Sequence, residues 1–133
     1  MGDRGNIYVV QHPHREPEGG IFIYTHWGGH KLPELLQSAL KTGKSRWNDE
    51  PYLTRVIFDA VSVDNEGITG VGLTTYLTDN EYPILVVDSE KQTVGVAGRV
   101  RGNEPLGEPR NVVSFEKFCE LSEEELENFR EAS

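Results

Sequence analysis

Apolar residues recur along the chain with two different spacings, and the spacing divides it into strands and helices. Ile7, Tyr8, Val9 and Val10 are sheet formers in one short run. Ile21, Phe22, Ile23 and Tyr24 are apolar or aromatic on both faces, in a run reaching Trp27. That pattern predicts a strand over 21–27 placed centrally in its sheet. Gly28 and Gly29 end it. Between these strands, Pro13, Pro17, Gly19 and Gly20 mark a loose hairpin connection. The period then becomes helical. Leu32, Leu35, Leu36, Ala39 and Leu40 fall on one helical face, and so do Leu53, Val56, Ile57, Ala60 and Val61. Pro33 and Pro51 suit first turns, Asn48 or Asp49 suits a cap, and Gly43 suits a helix end.

Strand patterns return after a turn at Asp64, Asn65, Glu66 and Gly67. Val71, Leu73, Thr75 and Leu77 alternate with Gly72, Thr74, Tyr76 and Thr78, predicting a half-buried strand over 71–78. Asp79, Asn80 and Glu81 form a turn. A buried strand follows over 83–88, with Pro83 tolerated at its first position, and then a partner strand over 92–96. Glycines and prolines between 98 and 111 predict an exposed loop. Val112 and Val113 add a short edge strand, and Ser114 caps a short helix through Cys119. Ser122 and Glu125 form a capping box that opens a last helix with Leu126 and Phe129 on its apolar face. The expected fold is α+β, a mostly antiparallel sheet in ββααββ order with two helices on one face. Residues 1–115 form a single α+β domain, and 116–133 an acidic helical tail packed on or extending from it. The sheet's exposed edge makes the chain a candidate homo-oligomer.

Composition narrows the partners. The chain has 133 residues and a net charge of −9. Seven acids and two bases lie in 116–133, so more than half of that charge sits in the tail. Such a surface repels duplex nucleic acid, which is excluded as a partner. No apolar run nears the roughly 20 residues of a membrane helix, and the first residues lack the apolar core of a secretory leader. The expectation is a cytoplasmic protein with no membrane partner. Cys119 is the only cysteine, which fits a reducing compartment, and its acidic neighbours suit a structural thiol.

The chemistry-bearing residues gather in a few loops. Thr25, His26, Trp27, Gly28, Gly29 and His30 sit where a strand opens into a glycine turn before a helix. Main-chain amides there can cradle an anion, His26 can hydrogen-bond, and Trp27 can stack on a ring. The competing reading makes Trp27 a core residue and the glycines a simple turn. Asp3, Arg4 and Asn6 precede the first strand. Arg4 can clamp a phosphate or carboxylate, or form an internal ion pair with Asp59, Asp79 or Asp88. Arg55 and Asp59 stand four apart on the second helix, a spacing that usually gives a minor helix-stabilising pair. Asp79 and Asn80 become site residues if their turn faces His26. The ligand-binding set is Arg4, Asn6, His26, Trp27, Gly28, Gly29, Arg55, Asp79 and Asn80. No metal is expected: His12, His14, His26 and His30, with Asp3, Asp79 or Glu81, show no ligand-pair spacing. No cofactor motif is present.

The runs Gly2-Asp3-Arg4-Gly5-Asn6 and Tyr24-Thr25-His26-Trp27-Gly28-Gly29 resemble a family of small proteins of bacteria, haloarchaea and phages. Leu53-Thr54-Arg55-Val56-Ile57-Phe58 and Asp79-Asn80-Glu81-Tyr82-Pro83 extend the resemblance, which covers residues 2 to 97. It implies no activity. The element order is also similar to half of an N-terminal-nucleophile hydrolase, a likeness of fold alone, because Met1-Gly2 offers no nucleophile. The leading expectation is a non-catalytic binding protein for a small polar or anionic, nucleotide-like ligand. One alternative is a hydrolase using His26 as base with Asp79 or Asp3. Another is an anti-defence or inhibitor protein that engages a protein partner through its acidic tail or an edge strand.

Overall fold

The computed structural model describes residues 2–11, 19–63, 70–98 and 106–131. The predicted loops at His12-Pro13-His14 and at 64–67, and the 99–105 part of the loop over 98–111, lie outside the described residues.

Six strands form one sheet: β1 (Gly5–Val10), β2 (Gly20–Thr25), β3 (Val71–Thr74), β4 (Ile84–Asp88), β5 (Thr93–Ala97) and β6 (Arg110–Ser114). Their order is β3-β2-β1-β4-β5-β6. Among the described residues four α-helices accompany them: α1 (Leu32–Thr42), α2 (Glu50–Ser62), α3 (Phe115–Glu120) and α4 (Glu123–Glu127). The fold is therefore α+β. The sheet is mixed rather than mostly antiparallel, because the central pair β1 and β4 is parallel, with Ile7 opposite Leu85 and Val9 opposite Val87.

The correction has a physical origin in residues 75–83. β3 starts beside the end of β2, with Val71 opposite Thr25, and runs away from that end. β4 starts at the same end and runs the same way. The connection must therefore travel back along the sheet instead of folding into a hairpin. Leu77 packs against Phe22, Ile84, Val86 and Ala97 as it passes. The predicted strand over 71–78 stops at Thr74, and Leu73, expected to be half-buried, is exposed. A crossover that seats one leucine has the same alternating pattern as a strand.

Strand alternation sorts the apolar side chains into two clusters. On the first face Ile7, Val9, Ile23, Leu85, Val87, Val94 and Val96 pack with Leu32, Leu36, Leu40, Leu53, Ile57 and Val61 of α1 and α2. On the second face Phe22, Ile84, Val86 and Ala97 pack with Tyr8, Val10, Leu77 and Leu106. β4 is buried on both faces, as its unbroken apolar run requires. β2, expected to be central, is second from the edge. Trp27, beyond its end, is 57% exposed, so the core reading of this indole fails.

The acidic tail is part of the core. Phe115, Phe118, Leu126 and Phe129 belong to the first-face cluster. Ser114 and Ser122 cap the two short helices, and the box at Ser122 and Glu125 forms in both directions. Gln37 of α1 donates to the carbonyls of Phe118, Cys119 and Leu121 at 3.0, 3.3 and 2.9 Å. Cys119 is half-buried, and burial raises its thiol pKa.

Candidate functional site

Three strands bring the predicted site residues to one end of the sheet. β1 starts there, opposite the end of β2, and β4 starts beside it. The segment before β1 is wedged between the turn after β2 and the turn before β4. The amide of Asp3 donates to the His26 carbonyl at 2.7 Å, and the amide of Gly29 donates to the Asp3 carbonyl at 2.7 Å. The amide of Glu81 donates to the Arg4 carbonyl at 2.9 Å. The glycines are dictated by space. A Cβ on Gly29 would lie 2.7 Å from both the Asp3 carbonyl oxygen and a Tyr82 ring carbon, and one on Gly5 would meet Leu32 at 2.9 Å. Thr25, almost fully buried, accepts from the Gly28 amide at 3.1 Å and fixes the turn.

Successive residues of an extended chain point to opposite faces, and this rule splits the corner into two groups. On the second face lie Arg4, Asn6, Tyr24 and His26, with Asp79, Asn80 and Glu81 arriving from the crossover. Asn6, 1% exposed, donates from Nδ2 to the Asp79 carbonyl at 2.9 Å and to Asn80 Oδ1 at 3.2 Å. The Arg4 amide donates to Glu81 Oε2 at 2.6 Å. Tyr24 Oη and His26 Nδ1 share a hydrogen bond at 2.9 Å. The rings of His26 and Trp27 meet edge to face at 4.3 Å. Burial, with the charges of Asp79 and Glu81 opposed by Arg4, raises the Tyr24 pKa. Arg4 Nε and Asn6 Oδ1 are sealed from solvent, and neither has a hydrogen-bond partner among the described residues.

On the first face, Asp3 is the hub. Its Oδ1 accepts from the Tyr82 hydroxyl, and its Oδ2 accepts from the His30 amide at 3.0 Å and pairs with His30 Nδ1. Arg130, reaching in from the tail, lays its guanidinium over the Tyr82 ring at 4.2 Å. Partial burial acts to raise the Asp3 pKa, but the bonds from Tyr82 and His30 and the His30 charge outweigh it, and the carboxyl lies below its ordinary value. The same bond to Asp3, with burial and the Asp3 charge, raises the Tyr82 pKa.

The structure thus brings together Arg4, Asn6, His26, Trp27, Gly28, Gly29, Asp79 and Asn80. Arg55 is left out: its Nε pairs with Asp59 at 3.1 Å on the exposed side of α2. None of the ion pairs expected for Arg4 is formed among the described residues. Of the two carboxylates expected for His26, Asp3 pairs with His30, and the His26 Nδ1 bond goes to Tyr24 rather than to Asp79. No group of three or more metal-ligating side chains occurs among the described residues. Asp3, Tyr24, His30, Glu81, Tyr82 and Arg130 were missing from the sequence-derived set, although Asp3, His30 and Glu81 stood in motifs that the sequence singled out.

No family model matches the chain, and no curated protein or solved structure shows significant similarity to it.

Proposed function

We propose that the protein binds a small planar polar ligand of the nucleobase or nucleoside type on the second face of the sheet, against Arg4, Asn6, His26 and Trp27. One observation carries this reading. A buried donor, Arg4 Nε, and a buried acceptor, Asn6 Oδ1, stand two residues apart on one strand face, and both lack partners among the described residues. Leaving each unsatisfied costs about 1–3 kcal/mol. A ligand edge that presents a carbonyl and an N–H offsets both costs once the side chains that seal these two atoms move aside to admit it. The exposed Trp27 indole, steadied by His26, gives the ring of such a ligand a face on which to stack.

Charge selects among the nucleotide-like ligands. Asp79 and Glu81 are exposed beside Arg4, so this face carries more negative than positive groups. A neutral heterocycle suits it better than a polyphosphate, in keeping with the net charge of −9.

Fluorescence titration tests the reading, since Trp27 is exposed and Trp47 is 8% exposed. Nucleobases and nucleosides quench the emission saturably, and Trp27→Ala weakens binding about 5- to 150-fold, the worth of one stacked base. Arg4→Ala weakens it as well. No binding of any nucleobase, nucleoside or nucleotide at millimolar concentration defeats the proposal, as does wild-type affinity in Trp27→Ala.

A further inference from the structure

We infer that His30, oriented by Asp3, is a general base that activates water against a phosphodiester of a nucleoside, so that the corner is a hydrolytic site as well as a binding site. This rests on the heterocycle reading of the adjacent face.

Three residues remote in sequence converge to hold one side chain. Asp3, Tyr82 and Arg130 come from the chain start, the crossover and the tail. They form a line in which Arg130 covers the Tyr82 ring, Tyr82 donates to Asp3, and Asp3 engages His30. Asp3 takes the Nδ1 side of the imidazole, leaving Nε2 as the working atom. The side chain of His30 is 60% exposed while that of Asp3 is 27% exposed. An aligned histidine with a free outer nitrogen is what general-base chemistry requires.

The surroundings favour a singly charged phosphate. Arg130 is 6% exposed with Nη1 sealed from solvent, so it favours an anion through its field and not by contact. Lys31 is exposed beside His30. Of the hydroxyls at this corner, Thr25 is buried and engaged with the Gly28 amide, and those of Tyr24 and Tyr82 are bonded to His26 and Asp3, so the nucleophile comes from solvent. The two groups share a wall, because Asp3 bonds through its main chain to both His26 and Gly29. Trp27 and His30 lie three residues apart in sequence, on either side of the Gly28-Gly29 turn.

In the reaction the water oxygen attacks phosphorus and its proton passes to His30 Nε2. The bond from phosphorus to the leaving oxygen breaks, and its electron pair departs with that oxygen. His30 returns the proton to the leaving oxygen or to solvent.

The probe is the p-nitrophenyl ester of thymidine monophosphate, with p-nitrophenolate release read by absorbance and binding read by tryptophan quenching. Wild-type protein cleaves the bound ester. His30→Gln lowers kcat about 10²- to 10⁴-fold, the usual worth of general acid–base catalysis, while the ester still binds. Asp3→Asn and Tyr82→Phe, at positioning residues, lower kcat and leave KM in place, a split that a purely structural role does not produce. Binding without cleavage, or wild-type turnover by His30→Gln, overturns this inference and leaves the binding proposal standing. An ester that does not bind overturns both.

Discussion

Gly28 and Gly29 are neighbours in one motif, yet the structure assigns them opposite tolerances. A Cβ at Gly29 would sit 2.7 Å from the Asp3 carbonyl oxygen, 2.7 Å from Tyr82 Cε2 and 3.1 Å from the Arg4 carbonyl carbon. Ordinary contact begins at 3.4 Å, so the first two contacts are each about 0.7 Å too short. Two of the three obstacles are main chain, and the segment is pinned by two hydrogen bonds of 2.7 Å on one side and one of 2.9 Å on the other. Overpacking of this kind costs about 1–3 kcal/mol. Pushing Asp3 away also weakens its bond from the Gly29 amide, worth about 1 kcal/mol. The stiffer unfolded chain of an alanine variant returns about 0.4–1 kcal/mol. Gly29→Ala is therefore destabilised by about 2 kcal/mol. At Gly28 the nearest obstacle is Thr25 Oγ1 at 3.3 Å, and φ is −117°. There the steric cost and the unfolded-state gain offset each other, and Gly28→Ala stays within about 0.5 kcal/mol of wild type. Urea unfolding followed by far-ultraviolet circular dichroism measures both, with equal m-values required for the comparison. Equal midpoints for the two variants, or a larger loss at Gly28, refutes the wedge of the 3–5 segment between the two turns.

Three further outcomes follow from the same contacts. Folding lowers the Asp3 pKa from its ordinary value of 3.8, so ionised Asp3 contributes stability that is fully present above that value and lost as pH falls through the lowered native one. Asp3→Asn is accordingly less stable than wild type at neutral pH and shows a flatter acid limb below pH 4, measured by denaturation midpoints across that range; an unchanged limb removes the ionised hub. Gln37→Ala strips a donor from three carbonyls of the tail and costs about 1–3 kcal/mol, with faster amide hydrogen exchange in α3 and α4 as the local readout. Arg55→Ala costs at most about 0.5 kcal/mol, because the pair with Asp59 is solvent-exposed, and it leaves nucleoside binding unchanged; a loss of binding would return Arg55 to the site.

Local rules made most elements legible. Both long helices follow from their apolar stripes, and the serine caps of α3 and α4 follow from a side-chain oxygen facing a free amide. The topology was not legible in the same way. A strand pattern states which side chains are buried, but not whether the next segment turns back beside it or crosses the sheet. Here that choice rests on Asn6, whose amide holds the crossover at Asp79 and Asn80. It also rests on Leu77, which finds its cavity on the second face. The site was readable in the glycine turn at Gly28 and Gly29, and unreadable in its long-range partners. Tyr82 and Arg130 reach Asp3 only because the crossover and the tail end at the same corner.

The position of Arg130 joins the tail to the site energetically. Burial lowers its pKa, against the raising influence of Tyr82, Asp3 and Glu131. Its side chain donates no hydrogen bond to a described residue that would compensate for lost hydration; the Tyr82 ring face is what it has. A buried cation attended by a ring face and by the charges of Asp3 and Glu131 is a weak source of stability, because desolvation outweighs that attraction. An apolar side chain of similar length would fill the same space without that cost. The guanidinium also lies at the end of the line that aligns His30, and its own carbonyl is held at 3.1 Å by Arg110 of β6. A charge kept at this point, in a stretch otherwise dominated by carboxylates, fits a requirement at the Asp3 corner better than one in the core.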